Sequence, residues 1–93
     1  MNVFIGVGTV ENVQTNAKVL KFDLSLQQDK ECNVPCVVFN PDTEAANLID
    51  NLHVTGEPVW LQGKISVNEF ENNGRTYKNI SIVVYPRNIK PIS

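Results

Sequence analysis

At 93 residues the chain is sized for one domain, residues 1–93, with a single core and little room for a distant second site. Eight basic and ten acidic residues leave a formal net charge of −2 and a pI near 5.2, which excludes a polycation that coats duplex DNA through bulk charge. No apolar run reaches the length of a membrane-spanning helix, so no membrane partner is expected.

The start, Met1-Asn2-Val3-Phe4-Ile5-Gly6, lacks the basic region and apolar stretch of a signal peptide, and a cytoplasmic location is expected. A first strand is predicted over Val3 to Val13. Gly6 and Gly8 interrupt it, and glycine inside a strand marks a bulge or a sharp bend in a barrel. Thr15-Asn16-Ala17 reads as a turn. The second strand, Lys18 to Gln27, puts Leu20, Phe22, Leu24 and Leu26 on one face and Lys21, Asp23 and Ser25 on the other. Asp29-Lys30-Glu31 turns the chain into a third strand, Val34 to Asn40, whose Pro35 requires an edge or irregular position because it cannot donate to a ladder.

The period then changes. Asp42 is a good N-cap, and Ala45, Leu48, Ile49 and Leu52 recur at helical spacing, which predicts a short amphipathic helix over Thr43 to Leu52. Val59 to Val67 and Arg75 to Val84 alternate again and form a long hairpin, with Asn73-Gly74 supplying the positive φ angles of its tight turn. In the first of these strands Val59, Leu61, Ile65 and Val67 are assigned to the core. Trp60, Lys64, Ser66 and Phe70 fall on the opposite parity, so an aromatic and a cation share an outward face, as a base-stacking surface requires.

The order β-β-β-α-β-β, with glycines that let a sheet coil, predicts an all-β, five-stranded OB-fold barrel, its one short helix between strands three and four and its apolar stripe over the barrel's open end. Cys32 and Cys36, with His53 as the one histidine, do not make a four-ligand zinc set; both cysteines are read as reduced, Cys36 as a small buried residue, and no cofactor or metal is expected. His53 follows the helix with no nucleophile placed beside it. No phosphate loop, nucleotide fingerprint or carboxylate pair occurs, and the chain is not read as an enzyme.

Asn2-Val3-Phe4-Ile5-Gly6, the strand Val19 to Leu26, Cys36-Val37-Val38-Phe39, the helix with Glu44-Ala45, and Val59-Trp60-Leu61-Gln62-Gly63-Lys64-Ile65 together resemble bacterial and phage single-stranded DNA-binding proteins. The resemblance implies binding of single-stranded DNA, ahead of RNA, with little sequence preference, in replication, repair or recombination. It implies a homo-oligomer, a dimer or tetramer, and stacking of bases on Phe39 and Phe70, with Trp60 and Tyr77 nearby. Asn33 stands where the family often has a tryptophan, which points to lower affinity. The chain stops at Lys90-Pro91-Ile92-Ser93 without the family's acidic tail, so a minimal form is expected, similar in size to primosomal replication proteins.

The residues assigned to nucleic acid are thus Lys18, Lys21, Phe39, Trp60, Lys64, Phe70, Arg75, Tyr77 and Lys78. The cations gather on strands two, four and five, while the stretch from Pro41 to Glu57 carries Asp42, Glu44, Asp50 and Glu57 without a Lys or Arg. Each aromatic also has a structural use: Trp60 under a loop or in a subunit interface, Phe39 in the core, Phe70 and Tyr77 as a cross-strand pair. An OB-fold protein-interaction module, docking protein through the same face, is the alternative function.

Overall fold

The computed structural model describes residues 2–16, 18–26 and 32–92. Alternation of apolar and polar residues drives five strands: β1 (Phe4–Thr15), β2 (Val19–Leu26), β3 (Cys32–Phe39), β4 (Val59–Asn72) and β5 (Arg75–Pro91), with helix α1 (Thr43–Thr55) between β3 and β4. They close into a barrel in the order β1-β2-β3-β5-β4, which is the OB-fold. Every neighbouring pair is antiparallel except β3 and β5, which run parallel through Cys36↔Ile82 and Val37↔Val83. Pro35 keeps its register with Asp23 of β2 and lies just before the β3–β5 ladder, where the other edge of β3 is unpaired and a missing N–H is tolerated.

Leu20, Phe22 and Leu24 of β2 pack inside against Val59 and Leu61 of β4 and Ile82 and Val84 of β5, all essentially without solvent exposure. Because a strand's side chains alternate, the intervening residues form the outer surface. The helix covers one end. Asp42 caps it by accepting from the Ala45 N–H (2.7 Å), and Gly56, at φ 67°, ends it by donating to the Leu52 carbonyl (3.1 Å). Ala45, Ile49 and Leu52 are buried and Leu48 is half-buried, as the helical spacing predicts. The helix runs one turn beyond Leu52, to Thr55, because a left-handed glycine at residue 56 stops it and the apolar stripe does not.

Gly8 is the bend. There β1 leaves its pairing with β4 (Gly8↔Val59) and takes up pairing with β2 (Gly8↔Leu26). The β1 bulge lies elsewhere, between Glu11 and Gln14, where Asn12 adopts φ 54°. β4 and β5 extend further than alternation alone predicts, to Asn72 and Pro91, and the tight turn at Asn73 and Gly74 has φ 56° and 75°. The hairpin therefore projects past the barrel. Val67, assigned by parity to the core, sits on this projection and is 52 % exposed, since its cross-strand partner Ile80 is also beyond the barrel's interior. The predicted turn at Asp29-Lys30-Glu31, and Ala17 of the preceding turn, lie outside the described residues.

A Cβ at Gly8 would stand 2.2 Å from the Ser25 carbonyl oxygen, a backbone atom that moves only if the β1–β2 ladder opens. Gly8→Ala is expected to cost about 1–3 kcal/mol in urea unfolding; an unchanged midpoint would show that the two strands separate freely. Cys36 gives a second expectation. Its thiol is buried, donates to the Val34 carbonyl (3.5 Å), and is pushed up to about 12 from 9.0 by burial, with the Asp23 carboxylate adding to the rise. A pKa raised on folding contributes stability below pH 9 that is lost as pH climbs towards 12. Stability should fall across that window more steeply in the native protein than in Cys36→Val, and parallel curves would rule the thiol out as the cause.

Candidate nucleic-acid interface

The outer face of the sheet is organised in cross-strand rows. Lys21 of β2 lies opposite Val37 of β3, Val37 beside Val83 of β5, and Val83 opposite Lys64 of β4. With strands about 4.8 Å apart, the two lysines flank an apolar centre across roughly 14 Å. An open groove crosses this face. Lys21, Asp23, Pro35, Val37 and Phe39 form its floor; Asn12 and Gln14 at the end of β1 make one wall, and Asn68, Asn79 and Ser81 at the root of the β4–β5 hairpin make the other.

The walls are held by local chemistry. Asn12, free to adopt its left-handed conformation at the bulge, donates from Nδ2 to the Asp23 carboxylate (2.9 Å). That contact turns a floor carboxylate towards the wall. Asn16 shapes the β1–β2 turn by accepting from the N–H groups of Lys18 and Val19, both at 2.9 Å, and the Lys18 carbonyl accepts from the Asn40 N–H at 2.8 Å. Lys18 is thereby pinned beside the Phe39 end of the groove.

Phe39 is 58 % exposed, because inward alternation is satisfied by Val38 and Phe39 falls on the outer parity at the end of β3. Phe70 and Tyr77 face each other across the hairpin with ring centroids 5.4 Å apart and planes inclined by 20°, each still more than two-fifths exposed. The cross-strand pair is therefore formed, and its outer surface remains open. Arg75 stands at the hairpin tip opposite Asn72.

Of the sequence-assigned residues, Lys21 and Phe39 line the groove itself, Lys18, Lys64, Phe70, Arg75 and Tyr77 lie on the elements beside it, and two others stand elsewhere. Lys78, next in sequence to Tyr77, points to the other side of the hairpin, where its ammonium lies 3.5 Å from Glu69 in an exposed ion pair. Trp60 keeps the outward parity of Lys64, but its neighbours are Val7 of β1 and Lys90 of β5, and it does not line the groove. It is half-buried on the outer surface over β1, where Ile5 and Val7 are exposed.

Other residues of the face escape a reading by residue type. The carboxamides Asn12, Gln14, Asn68 and Asn79 resemble ordinary loop residues until the topology sets them on two walls. Tyr85 escapes because alternation predicts a strand that stops at Val84. It continues the outer alternation of Ser81 and Val83, and the Arg87 guanidinium sits 5.4 Å from its ring centroid.

No protein-family model and no curated protein sequence matches the chain. Solved structures do. The Plasmodium falciparum SSB, in its complex with ssDNA, superimposes with a TM-score of 0.69 at 19 % identity, over 100 % of this chain and 96 % of that one. The mitochondrial single-stranded DNA-binding protein Rim1 of S. cerevisiae gives 0.74 at 20 % identity, over 98 % and 94 %, and its selenomethionine-labelled form 0.74 at 16 %. Both span nearly the same length as this chain, so the barrel, its helix and its long hairpin make up an OB-fold of the kind seen in these proteins.

Proposed function

We propose that the barrel binds single-stranded DNA along the groove on its outer face, with little sequence preference and without performing a reaction. The observation that carries this reading is the groove itself: an open channel over β2 and β3, between the β1–β2 bend and the hairpin, lined by Lys21 and the exposed Phe39, with Lys64 on the neighbouring strand and the exposed Phe70–Tyr77 pair further out on the hairpin. Bases stack on Phe39 and on the Phe70–Tyr77 pair, while Lys21, Lys64 and Arg75 meet phosphates, with Lys18 near the Phe39 end. A neighbouring barrel solved with ssDNA supports the same use of the fold. Roles in replication, repair or recombination belong to this reading, in a soluble protein of the cytoplasm.

Phe70→Ala is expected to weaken binding by about 1–3 kcal/mol with the fold intact. Single strands should compete out duplex of equal length, because stacking needs unpaired bases. Lys21, Lys64 and Arg75, at about −0.7 per phosphate contact, contribute about −2 to the slope of log affinity against log salt. Lys64→Ala with Arg75→Ala should flatten that slope, and Lys78→Ala should leave it alone. Preferred binding of duplex, or affinity indifferent to salt, would reject the assignment and favour a protein ligand for the same face.

The opposite side of the wall carries a second reading. Ile5 and Val7 are 59 % and 50 % exposed on the outer side of β1, Trp60 stands opposite Val7, and Val3 and Ile92 are exposed as well. A contiguous apolar strip on a sheet face is a subunit interface in search of its copy. We assign it to homo-oligomerisation, with Trp60 contributing to the interface and not to base stacking. Val7→Lys should reduce the mass measured by sedimentation to that of one chain while each barrel stays folded; a wild-type monomer would remove the assignment.

A further inference from the structure

β5 carries a feature that the groove does not use. Leu61 pairs with Ile89 and Gly63 with Val84, so Gln62 alone faces the four residues 85–88. This excursion lifts Tyr85, Pro86 and Arg87 out of the ladder against the first turn of α1, where they line a second, shallower pocket with Asp42, Glu44 and Leu48. Tyr85 is 55 % exposed although it is a large aromatic on a strand, and Arg87 lies over one side of its ring.

Its placement relative to the groove follows from register. Val37 and Val83 are paired in parallel, and two residues further along each strand, on the same outer parity, stand Phe39 and Tyr85. In the other direction along β5 the outer residues are Ser81, Asn79 and Tyr77. Tyr77 and Tyr85 are thus eight positions apart on one strand, or about 26 Å at 3.3 Å per residue. Bases stacked about 3.4 Å apart would fill that span with roughly eight nucleotides, inside the range of about 4–16 that one barrel holds.

We propose that Tyr85 and Arg87 form a terminal subsite of the single-strand path, a base stacking on Tyr85 and Arg87 meeting its phosphate; the inference rests on the barrel binding single strands. The cation over the ring is already ordered against its aromatic partner, so little side-chain freedom remains to be lost on binding. Asp42 and Glu44 across the pocket disfavour a phosphate held there alone. The Asp42 carboxylate is committed to the helix N-terminus, and Glu44 remains a repulsive neighbour. The subsite therefore acts as an extension of the groove and does not capture isolated anions.

The test is fluorescence anisotropy of labelled oligo-dT of about four and about twelve nucleotides, with Tyr85→Ala, Tyr85→Phe, Arg87→Ala and Phe70→Ala beside the native protein. The loss in Tyr85→Ala should be about 5- to 150-fold on the longer oligomer, the equivalent of one stacked base, and much smaller on the shorter one. Tyr85→Phe should restore it. Arg87→Ala should reduce the salt slope by about 0.7. Native affinity in both Tyr85→Ala and Arg87→Ala, with Phe70→Ala impaired, would overturn the subsite and leave the groove standing. Failure of the native protein to bind either oligomer would overturn both.

Discussion

Two backbone pairs between β3 and β5 carry the organisation of this molecule. Cys36↔Ile82 and Val37↔Val83 join two antiparallel units, β1–β2–β3 and β4–β5, that would otherwise be an open sheet with exposed edges. The first pair points inward, and both its side chains are buried in the core. The second points outward and becomes the centre of the groove face. One ladder thus seals the interior and brings Lys21 and Lys64, 43 positions apart in the sequence, into a single row. A barrel wall is one residue thick, so any change that shifts this pairing alters core and surface together.

The charge distribution follows from the same geometry. A net charge of −2 would repel a polyanion from a uniformly charged sphere, yet the acidic residues between Pro41 and Glu57 belong to the helix and its flanks, at the end of the barrel, whereas Lys21, Lys64, Arg75, Lys78, Arg87 and Lys90 stand on strands. At physiological salt, charges more than about 8 Å apart on the surface are largely screened, so the helix's carboxylates act weakly on the middle of the groove. Asp23 is the acid that does lie within it, and its hydrogen bond from Asn12 spends part of its charge in fixing the wall.

Much of the fold was legible because period-two and period-3.6 patterns follow directly from backbone geometry: Leu20, Phe22 and Leu24 read inward and are inward, and Asp42 reads as a cap and caps. Alternation says which side a residue faces but not how far the barrel reaches. That is why Val67 has inward parity and a solvated side chain, and why alternation places the end of β5 at Val84, where Tyr85 only begins a bulge. The site was less legible for a related reason. Trp60 and Phe70 share parity on β4, yet the groove takes the hairpin's end of that face and β1 takes Trp60's end; ten residues of a coiled strand separate two surfaces that a flat drawing merges. Lys78 illustrates the converse, since the residue beside a facing aromatic on a strand points to the opposite side, where Lys78 meets Glu69.

The hairpin arm makes one side chain pair serve two purposes. Beyond Ile65↔Ile82 the arm has no barrel interior beneath it, and an isolated two-stranded ribbon is marginal in water. Its outer face is held by the Phe70–Tyr77 stack; its inner face has Val67 with Ile80 and the exposed Glu69–Lys78 pair, which adds little. A cross-strand aromatic pair contributes roughly 0.2–1 kcal/mol to such a ribbon. Rings held against each other have fewer rotamers open to them, so the proposed stacking of a base on this pair would cost less side-chain entropy than on a solitary exposed aromatic. The cross-strand pairing of Phe70 and Tyr77 is therefore compatible with the base stacking proposed for them: it holds the two rings together and leaves their outer surface open.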